Sequence, residues 1–145
     1  MTPDGPTDEQ LLAAAGSVRY SRLLVRGELD GLAVAVVDAN GDDAVYECVT
    51  MRRLGGDWQE STSGSAGLLA EGWSSGVAYS YGRAPGADTV QVGLHGVPHV
   101  VRVERNGWWL VLARAEEDDR FDLSAVAPPR PVRRRRDGRP PRIAG

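Results

Sequence analysis

TVQVGLHGVPHVVRVERNGWWLVLARA, residues 89–115, decides how this chain folds. Apolar residues alternate with polar ones, which is the period of a half-buried strand. His95-Gly96 and Asn106-Gly107 interrupt the alternation as two-residue hairpin turns. In that register Leu94 faces Val97, Val92 faces His99, Val90 faces Val101, Val103 faces Leu110 and Val101 faces Leu112. One face is then almost wholly apolar: Val90, Val92, Leu94, Val97, Val101, Val103, Trp108, Leu110 and Leu112. The other carries Gln91, Gly93, Arg102, Glu104 and Trp109. A one-residue slip would exchange the two faces, so two separately placed turns that agree fix the register. The reading puts Trp108 in the core and turns Trp109 away from it, which makes Trp109 a candidate partner-binding residue.

The same period extends toward the N-terminus. LAVAVVD from Leu32 is a strand, Asn40-Gly41 marks a turn, and AVYECVTMRRL is the partner strand. Leu54-Gly55-Gly56-Asp57 turns into a short polar strand beginning at Trp58. STSGSAG, residues 61–67, has the composition of a loop. A strand is expected around Val77 to Tyr81, followed by a Pro85-Gly86 turn. Ahead of these strands, Thr7-Asp8-Glu9-Gln10 has the form of a capping box and precedes Leu11, Leu12 and three alanines. A helix is therefore expected from about residue 7 to about residue 24.

Within these elements, YGRAPGADTVQVGLHGVPHVVRVERNGWW resembles a pattern in small uncharacterised actinobacterial β-rich proteins. The pattern has a G-x-A opening, a V-x-V strand, a turn glycine, an apolar strand and N/D-G before an aromatic pair. The resemblance spans residues 81–112. It implies a β-sandwich-like domain and brings no catalytic or binding residue with it.

At 145 residues the chain has room for one domain, and its 18 glycines with 41% apolar content favour a turn-rich β protein over a helical bundle. The expected fold is mainly β, at the margin of α+β: an antiparallel β-sandwich or curved sheet with one N-terminal helix, over residues 1–127. Residues 128–145, APPRPVRRRRDGRPPRIAG from its second residue, have the composition of a disordered Arg/Pro-rich tail. They hold seven arginines against one acid (+6), while residues 1–127 hold ten against nineteen (−9), which together give the chain's −3. The first residues lack a basic leader with an apolar run, and no apolar window is long enough to cross a bilayer. A cytoplasmic location is expected. The single cysteine, Cys48, has no second cysteine to pair with and reads as a small buried hydrophobe.

Three patterns invite a chemical reading. Gly72-Trp73-Ser74-Ser75-Gly76 fits G-x-S-x-G and precedes Asp88 and then His95 or His99, the Ser-acid-His order of α/β-hydrolases. That elbow needs a strand-to-helix turn above a parallel sheet, whereas glycine-rich antiparallel hairpins follow it here. His95 and His99 enclose a glycine and a proline, which rules out a shared helical face, and no further ligand stands nearby in sequence, so no metal is expected. His95 reads as a turn residue and His99 as a partly buried imidazole. Glu116 to Asp119 lack the spacing and glycine of a calcium loop and read as a solvated turn. No cofactor is expected.

The function expected from these readings is non-catalytic: a protein-interaction or accessory module with an unknown protein partner. Aromatic residues beyond the predicted core row (Trp58, Trp73, Tyr79, Tyr81, Trp109) fit such a role, since aromatics anchor interfaces. A nucleic-acid-associated protein is the alternative, because Arg133, Arg134, Arg135 and Arg136 form a run able to neutralise phosphates nonspecifically. A serine hydrolase using Ser74 is a second alternative.

Overall fold

The computed structural model describes residues 5–16 and 19–123. Their fold is mainly β and antiparallel. One short helix precedes nine strands. Helix α1 spans Asp8–Ala14, capped by Thr7, whose hydroxyl accepts from the Gln10 backbone while the Gln10 side chain accepts from the Thr7 backbone. The helix ends earlier than the expected residue 24. Gly16, at φ 111, takes a conformation closed to side chains and breaks the helix there, and residues 22–24 already belong to a strand.

Strands β1 (Arg22–Leu29), β2 (Leu32–Asp38), β3 (Tyr46–Leu54) and β4 (Asp57–Ser65) form a four-stranded meander. The β2–β3 pairing read from the sequence is present, with Val34 opposite Thr50 and Val36 opposite Cys48. Strand β4 runs through Ser65, so much of the expected loop at residues 61–67 is strand. It is an exposed edge strand, where serine and threonine are tolerated because little has to be buried, and the Thr62 and Thr50 hydroxyls meet at 2.6 Å. Strands β5 (Leu69–Ser74), β6 (Val77–Arg83) and β9 (Trp108–Arg114) make a second sheet in the order β5-β6-β9, and β7 (Thr89–Leu94) with β8 (Val97–Arg102) makes a separate hairpin.

Four tight turns join hairpin partners with two residues each, and all eight residues have positive φ: Asp30-Gly31, Gly55-Gly56, Ser75-Gly76 and His95-Gly96. This is the mirror-image turn whose twist matches that of the flanking strands. The His95-Gly96 hairpin has the expected register, with Leu94 opposite Val97 and Val90 opposite Val101.

Asn106-Gly107 behaves differently. Residues 104–107 form a turn, with the Gly107 N–H bonded to the Glu104 carbonyl, but β9 then leaves β8 and pairs with β6, Tyr81 opposite Leu110 and Tyr79 opposite Leu112. The expected pairs Val103–Leu110 and Val101–Leu112 do not form. Beside β6 the strand is covered on both faces, which a simple β8–β9 hairpin would not provide.

The layers stack as helix, first sheet, second sheet and β7–β8 hairpin. Ala33, Ala35 and Val37 of β2 pack with Leu11 of α1, while Leu32, Val34 and Val36 on the opposite face pack with Val77, Tyr81 and Trp108 of the second sheet. The outer face of that second sheet, Ala78, Trp109 and Val111, is roofed by Val90, Val92, Leu94 and Val101 of the hairpin with Phe121. Thus every residue of β2 is buried, and so are both Trp108 and Trp109. Strands β1 and β9 run in the same direction across the sheet interface. The Asn106 amide donates to the Leu24 carbonyl at one end, Gly27 lies against Leu110 and Leu112, and Arg114 forks onto Asp30 at the other. A methyl group at Gly27 would come within 2.9 Å of Leu112, so its hydrogen is what permits this approach.

Candidate functional site

The residues singled out by sequence fall in several places. Trp109 is not a surface anchor: its side chain is 0% exposed, because the β7–β8 hairpin covers the face that the sequence reading left open. The other aromatics also have structural neighbours. Trp58 packs at the helix-covered core, Tyr79 and Tyr81 fill the space between the sheets, and the half-buried Trp73 donates to the Ala115 carbonyl at 2.8 Å. Arg133, Arg134, Arg135 and Arg136, with the rest of 128–145, lie outside the described residues.

Ser74 is the last residue of β5, and Ser75-Gly76 is the tight turn into β6 rather than a strand-to-helix elbow. Its hydroxyl accepts a 2.9 Å bond from the Arg52 guanidinium, which also reaches the Ser74 carbonyl. A guanidinium keeps its proton at any working pH and is no general base. His95 takes φ 55 in its turn and places Nε2 3.2 Å from Asp119, while His99 is half-buried on β8. Neither histidine bonds Ser74. Glu116, Glu117 and Asp118 are exposed around a turn that Asp119 closes by accepting from the Glu116 N–H. Among the described residues no group of three or more His, Cys, Asp or Glu side chains is placed to hold a metal ion, and no helix is long and apolar enough to cross a membrane.

Cys48 lies between the sheets with Tyr79 and Tyr81. Burial pushes its thiol up from an ordinary 9.0 to about 11, only partly offset by a hydrogen bond with Tyr81. Burial also raises the Tyr81 and Tyr79 phenols. Such groups stay protonated near neutrality, and the thiol is a poor nucleophile there.

The feature that stands out is one the sequence reading passed over, the outer edge of β8. Leu94 and Val97 flank a two-residue turn and so exchange backbone hydrogen bonds, and the ladder alternates from there. Val92–His99 and Val90–Val101 are therefore bonded pairs, whereas Pro98, Val100 and Arg102 direct their backbone groups away from β7. Gly93, opposite Pro98, obeys the same alternation: it turns outward and exchanges bonds with Asp122 on the far side of β7. Among the described residues no strand lies along the outer edge of β8. Val100 is 70% exposed and Val97 54% exposed on this strand.

Beside that edge opens a groove of about 1010 Å³, lined by Leu24, Thr89 and Val100 with the charged residues Asp88, Arg102 and Arg105. The side chains of Arg102, Arg105, Asp88 and Glu104 make no hydrogen bond or ion pair among the described residues, in contrast to Arg22, Arg26, Arg83 and Arg114, each of which meets a carboxylate. Among the described residues the arrangement offers unused backbone donors and acceptors, an exposed aliphatic side chain and unpaired charges within one concave surface.

No family model, curated protein or solved structure matches the chain.

Proposed function

We propose that this protein is a non-catalytic, cytoplasmic protein-interaction module that takes up an extended segment of a partner along the outer edge of β8. The observation that carries the reading is the edge left without a paired strand among the described residues, with Val97 and Val100 exposed on it and the groove alongside. Strand addition draws affinity from main-chain hydrogen bonds and selectivity from alternate side chains, and β8 supplies both. Pro98, which has no N–H, limits the reach of pairing, as edge strands commonly do to avoid indiscriminate association. The polar edge of β4 lacks comparable exposed aliphatic side chains beside a groove.

Val100→Pro tests this directly. The Val100 N–H faces outward, so proline leaves the β7–β8 ladder intact while deleting the donor at the centre of the added pairing. With the full chain carrying a photoreactive side chain at Val97, partners should cross-link to the parent and fail to do so in the Val100→Pro background. Equal yields from both proteins would refute strand addition at this edge.

A second reading rests on the tail composition, seven arginines against one acid. Binding of nucleic acid through Arg133 to Arg136 should weaken steeply with added salt, as displaced counterions require, and should vanish when the four are replaced by glutamine in the full chain.

A further inference from the structure

Building on strand addition at β8, we infer that the incoming segment carries an acidic residue two positions before an aliphatic one, the carboxylate lying against Arg102 and the aliphatic side chain against Val100. Side chains of an added strand stand opposite those of the edge it joins, and residues two apart share a face. On the outer face of β8 the sequence of neighbours is Pro98, Val100, Arg102. Arg102 is exposed and makes no ion pair among the described residues, and Arg105 beyond it is in the same condition, so an approaching carboxylate displaces no existing partner. The uncompensated acids of the groove sit elsewhere: Asp88 precedes β7, and Glu104 follows β8 where the chain turns away. An antiparallel strand, the better-bonded orientation, meets Arg102 first and Val100 two residues later, which sets the order acid-x-aliphatic.

Two other occupants fit the edge less well. In a second copy paired through Val100 against Val100, each Arg102 falls opposite a Pro98, which supplies neither a carboxylate nor an N–H. The chain's own residues 130–136 would bring five arginines to a strand whose accessible charge is Arg102. A partner segment with the opposite charge satisfies both the backbone and the guanidinium.

The test uses the full chain and two fluorescent peptides of alternating threonine and valine, one with Glu-x-Val at its centre and one with Arg-x-Val. The arginine tail attracts any acidic peptide, so the readout is the change in preference when Arg102 alone is reversed. Relative to the parent, Arg102→Glu should shift the preference from the Glu peptide toward the Arg peptide by about two- to fivefold, the range of one exposed ion pair. The Arg102 side chain makes no hydrogen bond or ion pair among the described residues, so the swap breaks no polar contact there, and the gained affinity for the Arg peptide is a readout that mere damage would not give. If the preference does not respond to Arg102 while Val100→Pro still abolishes binding, the charge assignment is wrong and strand addition survives. If Val100→Pro leaves binding untouched, the edge reading falls and takes this inference with it. Concentration-dependent dimerisation abolished by Val100→Pro would instead seat a second copy on β8 and overturn the assignment.

Discussion

Replacing Trp109 by alanine should destabilise the protein by several kcal/mol, as replacing Trp108 does, although the two side chains point in opposite directions. Both are essentially unexposed, at 0% and 1%. Truncating a fully buried tryptophan costs about 3–5 kcal/mol through lost transfer energy and the cavity left behind. Two local terms then separate them. Trp108 stands edge-on to Tyr46 at 5.0 Å and 66°, an aromatic contact worth about 0.5–1.5 kcal/mol beyond area, which moves its cost toward the upper end. Trp109 buries an indole N–H that has no partner among the described residues, and a buried unsatisfied donor costs the native state about 1–3 kcal/mol. Removing that donor offsets part of the loss, so Trp109→Ala belongs near the lower end. Phenylalanine sharpens the contrast: Trp109→Phe deletes the orphan N–H and keeps much of the ring, so it should be milder than Trp108→Phe. Urea denaturation of the four variants, read as shifts in midpoint at constant slope, decides the matter. A loss below about 1 kcal/mol for Trp109→Ala would refute the reasoning, because a tryptophan roofed by the β7–β8 hairpin cannot be that cheap to remove.

Gly82→Ala should cost about 1–3 kcal/mol in the same assay, since an added methyl would lie 2.8 Å from the Trp109 ring in a filled core. Stability should fall as pH rises from 9 toward about 11: the folded protein holds the Cys48 proton above the thiol's ordinary value, so that contribution is whole below 9 and about 2 kcal/mol smaller once the folded thiol would ionise, as alkaline denaturation will measure. Ser74→Ala should leave any turnover of a generic ester at the parent's level, because the hydroxyl meets Arg52 and no imidazole; a selective loss of turnover with the fold intact would reinstate a hydrolase.

The parts of this fold that could be read from the chain are those written locally. The β7–β8 register follows from His95-Gly96 and the alternation around it, and both sit within a few residues of each other. The partner of β9 is non-local. Alternation states that Trp108 and Trp109 face opposite ways, and it is silent on whether a second layer covers the other face. The start of strand β1, residues 22–24, falls inside the helix expected to about residue 24, although Asp30-Gly31 before LAVAVVD is a turn signal of the same kind as His95-Gly96. Within the G-x-S-x-G match, Ser75-Gly76 is one more two-residue turn of this kind. Val100 carried the missed signal for the candidate site. It breaks the alternation by placing a valine on the polar face of β8, where it is 70% exposed.

The β7–β8 hairpin leaves the second sheet after Ala84 and the chain returns at Gly107, with the Ala84 N–H bonded to the Gly107 carbonyl at 2.7 Å. By connectivity residues 85–106 are an excursion closed at its base; by solvation they are the lid over Trp109. Such a unit can open without unzipping β6 from β9, so amide protons of β7 and β8 would exchange through a sub-global opening, ahead of those of β2, whose residues are all buried. The two adjacent tryptophans then report on different events. The environment of the Trp109 side chain changes when the excursion lifts, whereas the Trp108 side chain stays packed between the two sheets.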